Sequence, residues 1–195
     1  MGKGEETRLA ILQAGMEVAA AEGLEAITIG RLADRVAMSK SGLFAHFKSK
    51  EALQIGVLDY GRQAFVTSVI APAMAAPRGL PRLRDLFGRW MDWNWSKEER
   101  GGCLFLAAAA EYDDREGPVR QAVVDIQKEL VEFLVKSSAL CVEEGHIRSD
   151  VEPRQLAFEL FALVMAHHFH SRLLQDKKAK SRTLAGFERL LSSVQ

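Results

Sequence analysis

Residues 28–53 read TIGRLADRVAMSKSGLFAHFKSKEAL and contain the most informative pattern in the chain. Within it, Thr28, Ser39 and Ser49 each stand just before a run with apolar residues at three- and four-residue steps. Ser and Thr at such positions commonly cap helix N-termini. The pattern therefore predicts two short helices joined by a tight turn, followed by the start of a longer helix. Two short helices in this arrangement are typical of a helix-turn-helix.

The second short helix has side chains suited to a DNA major groove. Leu43 and Phe47, four residues apart, predict a core-facing side. The residues left facing outward are short, polar or aromatic: Lys40, Ser41, Gly42, Phe44 and His46. Glycine permits a close approach to sugar and phosphate, and a lysine can reach a guanine edge or a phosphate.

Charge in this segment favours an anionic partner. The whole chain has 26 Lys+Arg against 26 Asp+Glu, so no global attraction to nucleic acid is expected. Between Thr28 and Lys50, Asp34 is opposed by a group of basic residues: Arg31, Arg35, Lys40, Lys48 and Lys50. Thr28 and Lys50 also lie at predicted helix N-termini, where free N–H groups and the dipole bind phosphate. We expect these two residues to clamp the DNA backbone on either side of the groove.

The rest of the chain has helical periodicity and no convincing strand pattern, so the fold class is all-α. Further helices are expected at about 5–22, 50–71, 83–95, 102–113, 119–144, 153–175 and 183–193. The longest apolar runs, 103–110 and 160–166, fall short of the ~20 residues of a membrane span. The charged N-terminus is not that of a signal peptide, and two cysteines make no disulfide framework. We therefore expect reduced thiols and a cytoplasmic protein.

Residues 28–33 and 38–53 resemble the DNA-binding domain of the TetR family of transcriptional regulators. Residues 11–15 and 22–23 are similar to the family's first helix, more loosely, and 101–104 with 111–114 resembles a segment of one branch. The resemblance implies a three-helix DNA-binding domain at 1–50. It also implies a larger helical domain for ligand binding and dimerisation at 51–195.

The resemblance further implies an Ω-shaped homodimer whose last two helices form a four-helix interface. Such a dimer holds two recognition helices about 34 Å apart, which fits a near-palindromic operator. A small-molecule effector in the larger domain would release the repressor from DNA. Carried over position by position, the family's DNA contacts are Thr28, Lys40, Ser41, Gly42, Phe44, His46 and Lys50.

The sequence departs from the family pattern at several positions. Phe44 stands where a tyrosine is usual, which removes a hydroxyl–phosphate hydrogen bond. Ala37 stands where the turn usually has glycine, so we expect a slightly altered turn. Gly15 and Ala19 replace larger residues, so we expect the first helix to pack less fully.

Candidate effector contacts lie in the larger domain. Trp90 and Trp93 share a helix face that predicts either the wall of an apolar pocket or core packing. The full set of candidates is Trp90, Trp93, Phe105, Tyr112 and His167. We expect no cofactor and no metal, and a regulator that is not an enzyme.

Two other sensing roles remain as alternatives. His167 and His170 lie one turn apart, and with His146, Glu159 or another subunit they would form a metal site. Otherwise His167, His168 and His170 lie at an interface rim or line the cavity.

The second alternative is a redox sensor at Cys103. This residue follows Gly101-Gly102 at a predicted helix N-terminus, where a thiolate is stabilised. Otherwise it is a small buried residue, as expected of Cys141.

A final alternative is an all-α small-molecule-binding protein with a vestigial DNA-binding module. Such a module is expected to have lost its basic residues. Lys40 and Lys50 are both present, which favours the regulator.

Overall fold

A computed structural model describes residues 2–93 and 103–195, and the regular structure there is helical, as predicted. The helices are α1 (Lys3–Glu22), α2 (Ile29–Arg35), α3 (Lys40–Phe47), α4 (Lys50–Phe65), α5 (Ala71–Ala73), α6 (Leu80–Asp92), α7 (Leu104–Tyr112), α8 (Pro118–Glu143), α9 (Pro153–His168) and α10 (Ala179–Val194). A short 3₁₀ turn covers Leu24–Ala26, and π-helical turns cover Val66–Ile70 and Phe169–Leu173.

The predicted caps fix where the early helices begin. The side-chain oxygens of Thr28, Ser39 and Ser49 each accept a hydrogen bond from the backbone N–H three residues ahead, at 3.0–3.2 Å. At the other end, Gly23 terminates α1 with φ 95°. Gly145 has φ 69° just after α8, a conformation that glycine adopts without strain.

Several helices begin or end at residues other than those that the hydrophobic periodicity predicts. Gly79, at φ 81°, and Pro81 start α6 three residues earlier than expected. The predicted helix ending near residue 175 ends at His168 and continues as the π-helical turn, while α10 begins at Ala179 and not at 183. The expected positions of Trp95 and of Gly101-Gly102 lie outside the described residues.

The first of two compact units comprises residues 1–64 and 94–127. Its core packs α1 against α2, α3 and α4. A Cβ placed on Gly15 would lie 2.5 Å from Val57 Cγ2, and Ala19 is 1% exposed. The expectation of a loosely packed α1 is therefore wrong, because the missing side chain lets α4 approach closely. Leu9 is spaced for the same side of α1 as the buried Leu12 and Met16, but it is 38% exposed.

The second unit comprises residues 65–93 and 128–195. The rings of Phe87 and Phe187 stack at its centre, 4.1 Å between centroids. Phe65 meets both Trp90 and Trp93 edge-on, at 5.3 and 5.4 Å. In the part of the chain that the structure describes, no helix has the length and apolar character required to cross a membrane.

Candidate nucleic-acid interface

α3 is anchored by one side and presents the other to solvent. Leu43 and Phe47 are 0% and 3% exposed, whereas the ring of Phe44 is 51% exposed. Lys40 and Ser41 are exposed, and Gly42 and His46 are partly so. The stem of Lys40 passes over α2, since a Cβ on Gly30 would lie 3.3 Å from Lys40 Cε. This brings Lys40 beside the helix that Thr28 caps.

The turn between α2 and α3 keeps a left-handed residue. Ala37 has φ 53°, and the N–H of Met38 closes the turn on the carbonyl of Ala33 at 2.9 Å. The expectation of an altered turn is therefore wrong. The left-handed backbone costs about 1 kcal/mol here, because the Cβ of Ala37 lies close to the following carbonyl oxygen.

Arg8 supports the end of α3, a role that sequence reasoning missed. Its Nη1 donates to the carbonyl of His46 at 3.2 Å, and its guanidinium lies 4.4 Å from the centre of the Phe47 ring. Arg8 and His46 are 38 residues apart, so no local pattern signals the contact. The interaction ties α1 to the recognition helix.

The positive charge of the segment is partly offset. Several of its basic residues pair with acids that precede the segment: Arg31 with Glu22, Arg35 with Glu17 and Lys50 with Glu25. Within the described ranges, Lys40 and Lys48 have no carboxylate at ion-pair distance. The positive charge of the segment is therefore smaller than a count of its own residues gives, because acids from α1 and the 3₁₀ turn fold against it.

Lys50 is held by a carboxylate and does not stand free. Glu25 accepts from Lys50 Nζ on Oε1, and on Oε2 from the hydroxyl of Tyr112 and from Nη1 of Arg115, both at 2.8 Å. The hydrogen bond from Lys50, joined by that from Tyr112, lowers the pKa of Glu25 to about 2. The carboxylate is therefore ionised at neutral pH.

The end of α7 is bound to the same turn. Both oxygens of Glu111 accept backbone N–H groups, from Leu24 at 2.7 Å and from Glu25 at 2.8 Å. The buried Gln54 donates to the carbonyl of Leu24 at 2.9 Å and to the hydroxyl of Tyr112 at 3.1 Å. We call Glu111, Tyr112 and Arg115 the α7 clamp.

The candidate effector residues divide between the two units. Phe105 and Tyr112 lie in the first, where burial raises the pKa of Tyr112. Trp90, Trp93 and His167 lie in the second. Trp90 is 4% exposed, and its Nε1 and the Nδ1 of His167 are buried without a hydrogen-bond partner.

The described cysteines are not activated as thiolates, and the described histidines are not grouped as metal ligands. Burial raises the pKa of the Cys103 thiol, and that of Cys141 to about 11, so both are protonated at neutral pH. Burial also lowers the pKa of His167 and His168. Among the residues described, no three His, Cys, Asp or Glu side chains are grouped to hold a metal ion.

α9 carries an exposed apolar stripe that continues into the turn after it. Its large side chains are 50–69% exposed: Phe158, Met165, Phe169, Leu173 and Leu174. Single exposed apolar residues are ordinary, but a continuous row of them marks an interaction surface.

Comparison with known proteins places both parts of the chain. Residues 11–55 match the family model described as bacterial regulatory proteins, tetR family, and residues 79–187 match that of the tetracyclin repressor-like C-terminal domain. No curated protein matches the sequence.

Solved structures share the fold over nearly the whole chain. A TetR-family transcriptional regulator from Streptomyces coelicolor has TM-score 0.82 and 23% identity, over 97% of this chain and 96% of that chain. A TetR-family regulator from Cytophaga hutchinsonii has TM-score 0.85 and 19% identity, over 100% and 98%. AibR, solved with isovaleryl coenzyme A and operator DNA, has TM-score 0.70 and 23% identity, over 92% and 95%.

Proposed function

The chain belongs to the TetR family of transcriptional regulators, and on that basis we propose that it represses transcription from a near-palindromic operator and is released by a small-molecule effector. Regulators of this family are ligand-responsive, bind DNA and act as dimers. We propose that the protein performs this regulatory role in the cytoplasm and that it is not an enzyme.

The proposed DNA contacts follow from how α3 is presented. The observation that supports them most strongly is an exposed Phe44 beside exposed Lys40 and Ser41, on a helix fixed through Leu43 and Phe47. A helix fixed in this way can enter the major groove, which is about 12 Å wide, without rearranging its core. Lys40 and Ser41 would then contact base edges or phosphates.

The remaining contacts lie around the recognition helix. Gly42 permits a close approach, Phe44 offers an apolar surface, and Thr28 and Lys50 flank the groove at helix N-termini. His46 is partly buried and its carbonyl holds Arg8, so we propose that it supports α3 more than it reads bases.

Dimerisation is proposed through α9 and α10. The exposed stripe from Phe158 to Leu174 supports this assignment, because a second copy would remove its rings and aliphatic chains from water. Pairing along these helices leaves α3 of each subunit free for one half-site.

An effector with a mainly apolar body is proposed for the second unit. Trp90 and Trp93, both against Phe65, offer aromatic surface, and the unpartnered Nε1 of Trp90 and Nδ1 of His167 offer polar contacts. AibR shows that a protein of this fold binds an acyl coenzyme A and operator DNA. An apolar acyl group is accordingly a suitable first candidate.

The test is selection of bound fragments from random DNA, followed by titration of the selected site at several salt concentrations. Lys40→Ala should change which sequences bind, and Lys50→Ala should weaken all of them and reduce the salt slope by about 1. Lys136→Ala, an equal loss of charge at an exposed site on α8, is the control. Absence of binding to every fragment at low salt would contradict the proposed function.

A further inference from the structure

We propose that Glu25 competes with DNA phosphate for Lys50, and that Tyr112 and Arg115 of the α7 clamp decide the outcome. This inference rests on the proposed function, since it concerns one of the proposed phosphate contacts. It makes Glu25 and Tyr112 positioning residues, which act on DNA through Lys50.

The competition arises from where Lys50 lies. It is the first residue of α4, directly after the recognition helix, and its side chain is 37% exposed. Its ammonium group is nevertheless bound to Glu25 Oε1. A phosphate at the N-terminus of α4 therefore meets an ammonium whose charge Glu25 already offsets, and the two anions repel each other when they share it.

Glu25 can release Lys50 without becoming an isolated charge. Its other oxygen, Oε2, holds both the hydroxyl of Tyr112 and the guanidinium of Arg115 at 2.8 Å. Removing the last partner of a partly buried carboxylate is costly, whereas removing one of several costs much less. The α7 clamp thus makes the exchange of Lys50 from Glu25 to phosphate favourable.

The ionisation states fit an exchange that does not depend on pH. The hydrogen bond from Lys50 lowers the pKa of Glu25 to about 2. Even an unpaired glutamate has a pKa of only about 4.3, so the carboxylate stays charged at neutral pH before and after the exchange. Burial raises the pKa of Tyr112, so its hydroxyl keeps the proton that it donates. The exchange of Lys50 between Glu25 and DNA therefore depends on phosphate binding or on a displacement of α7, and not on protonation.

The α7 clamp links the region that matches the C-terminal family model to Lys50. α7 lies within the region that matches the C-terminal family model, whereas Glu25, Lys50 and Gln54 lie within the N-terminal one. An effector whose binding draws Tyr112 and Arg115 away from Glu25 leaves Lys50 as the remaining side-chain partner of the carboxylate. Lys50 is then retained, and the affinity for DNA falls.

The first experiment measures affinity for the selected DNA site in Glu25→Gln and in Glu51→Gln. Glu51 is an exposed acid next to Lys50, so it matches the charge change without touching the exchange. Freeing Lys50 from an exposed ion pair should tighten binding about two- to fivefold. Glu51→Gln should give a smaller gain. In a Lys50→Met background the gain from Glu25→Gln should fall to the size of the gain from Glu51→Gln, which should persist.

The second experiment tests the α7 clamp with Tyr112→Phe and Arg115→Gln, each also made with Glu25→Gln. Alone, either substitution should weaken DNA binding and reduce the salt slope, because Glu25 then retains Lys50. Together with Glu25→Gln, the weakening should disappear. Thermal unfolding of each variant checks that the chain is folded, and a purely structural role would weaken binding in every background.

Certain results would overturn the inference. Glu25→Gln binding no tighter than the parent, or its full gain persisting with Lys50→Met, would mean that the carboxylate does not compete. If Tyr112→Phe weakened DNA binding equally with and without Glu25, α7 would have no part in the exchange. Failure of the parent to bind any DNA is a different result, and it contradicts the proposed function itself.

Discussion

Glu111 caps the turn that begins at Leu24, although the two residues are 87 positions apart. One carboxylate oxygen accepts the N–H of Leu24 at 2.7 Å and the other accepts that of Glu25 at 2.8 Å. A backbone turn in the DNA-binding region thus receives its N-terminal acceptor from α7. Because an anion also interacts favourably with such N–H groups, the contact is worth more than a neutral hydrogen bond.

Glu111→Gln should lower the free energy of unfolding by about 1–2 kcal/mol, because the amide nitrogen that replaces one carboxylate oxygen cannot accept from an N–H group. Urea denaturation at neutral pH measures the change. Glu116→Gln, an exposed acid just after α7, is the matched control and should differ little from the parent. Equal effects of the two substitutions would show that the cap contributes nothing to stability.

Gly15→Ala should destabilise the chain by about 1–3 kcal/mol, since its Cβ would lie 2.5 Å from Val57 Cγ2. Adding Val57→Ala should recover part of the overpacking cost. Gly4→Ala, on the same helix with nothing within 4 Å of the added Cβ, should be neutral or slightly stabilising. Chemical denaturation of these variants decides whether α1 and α4 touch as closely as described.

Ala37→Gly should raise the free energy of unfolding by about 1 kcal/mol or less, because glycine adopts φ 53° without strain. Ala45→Gly, within α3, should instead lower it by a similar amount, as glycine does in a helix interior. The two opposite signs, read from thermal melts, separate relief of turn strain from a general effect of glycine. A loss of stability in both would argue against a left-handed Ala37.

Phe158→Gln should weaken self-association, because Phe158 is the most exposed large apolar side chain of the α9 stripe, at 69%. Sedimentation equilibrium should show more single subunits than in the parent. Met74→Gln, which changes an exposed apolar residue outside the stripe, should leave the association constant unaltered. A dimer equally strong in both variants would place the interface elsewhere.

Acidification should destabilise the fold through His167 and His168. Burial lowers the pKa of both, so the folded chain takes up protons less readily than the unfolded one. Their contribution is complete above the unfolded pKa of about 6.5 and is lost as pH falls through the lower folded values. The fall in unfolding free energy between about pH 7.5 and pH 5.5 should be smaller in His167→Gln,His168→Gln. An unchanged fall would exclude these histidines as the cause.

The sequence alone was sufficient wherever the cause is local. Thr28, Ser39 and Ser49 predicted their helix starts because a cap acts on an N–H three residues away. The four-residue spacing of Leu43 and Phe47 likewise predicted which side of α3 is buried. Family resemblance then supplied the expected DNA contacts, which remain predictions.

Interactions across long stretches of chain could not be read from the sequence. The pairing of Lys50 with Glu25 spans 25 residues, and nothing in either neighbourhood marks them as partners. Leu9 fits the core periodicity of α1 and is nevertheless exposed, since which turns are covered depends on the neighbouring helices. Tyr112 illustrates the same point: its type suggested an effector contact, but the location of its hydroxyl depends on how α7 meets the turn at Leu24.

The arginines of α2 have a consequence for how the repressor is distributed along a chromosome. Because Arg31 and Arg35 are neutralised by the protein's own Glu22 and Glu17, each adds little to indiscriminate attachment. Copies of the protein then spend less time on unrelated sequence. We therefore expect a smaller pool of the protein to be enough to occupy its operator.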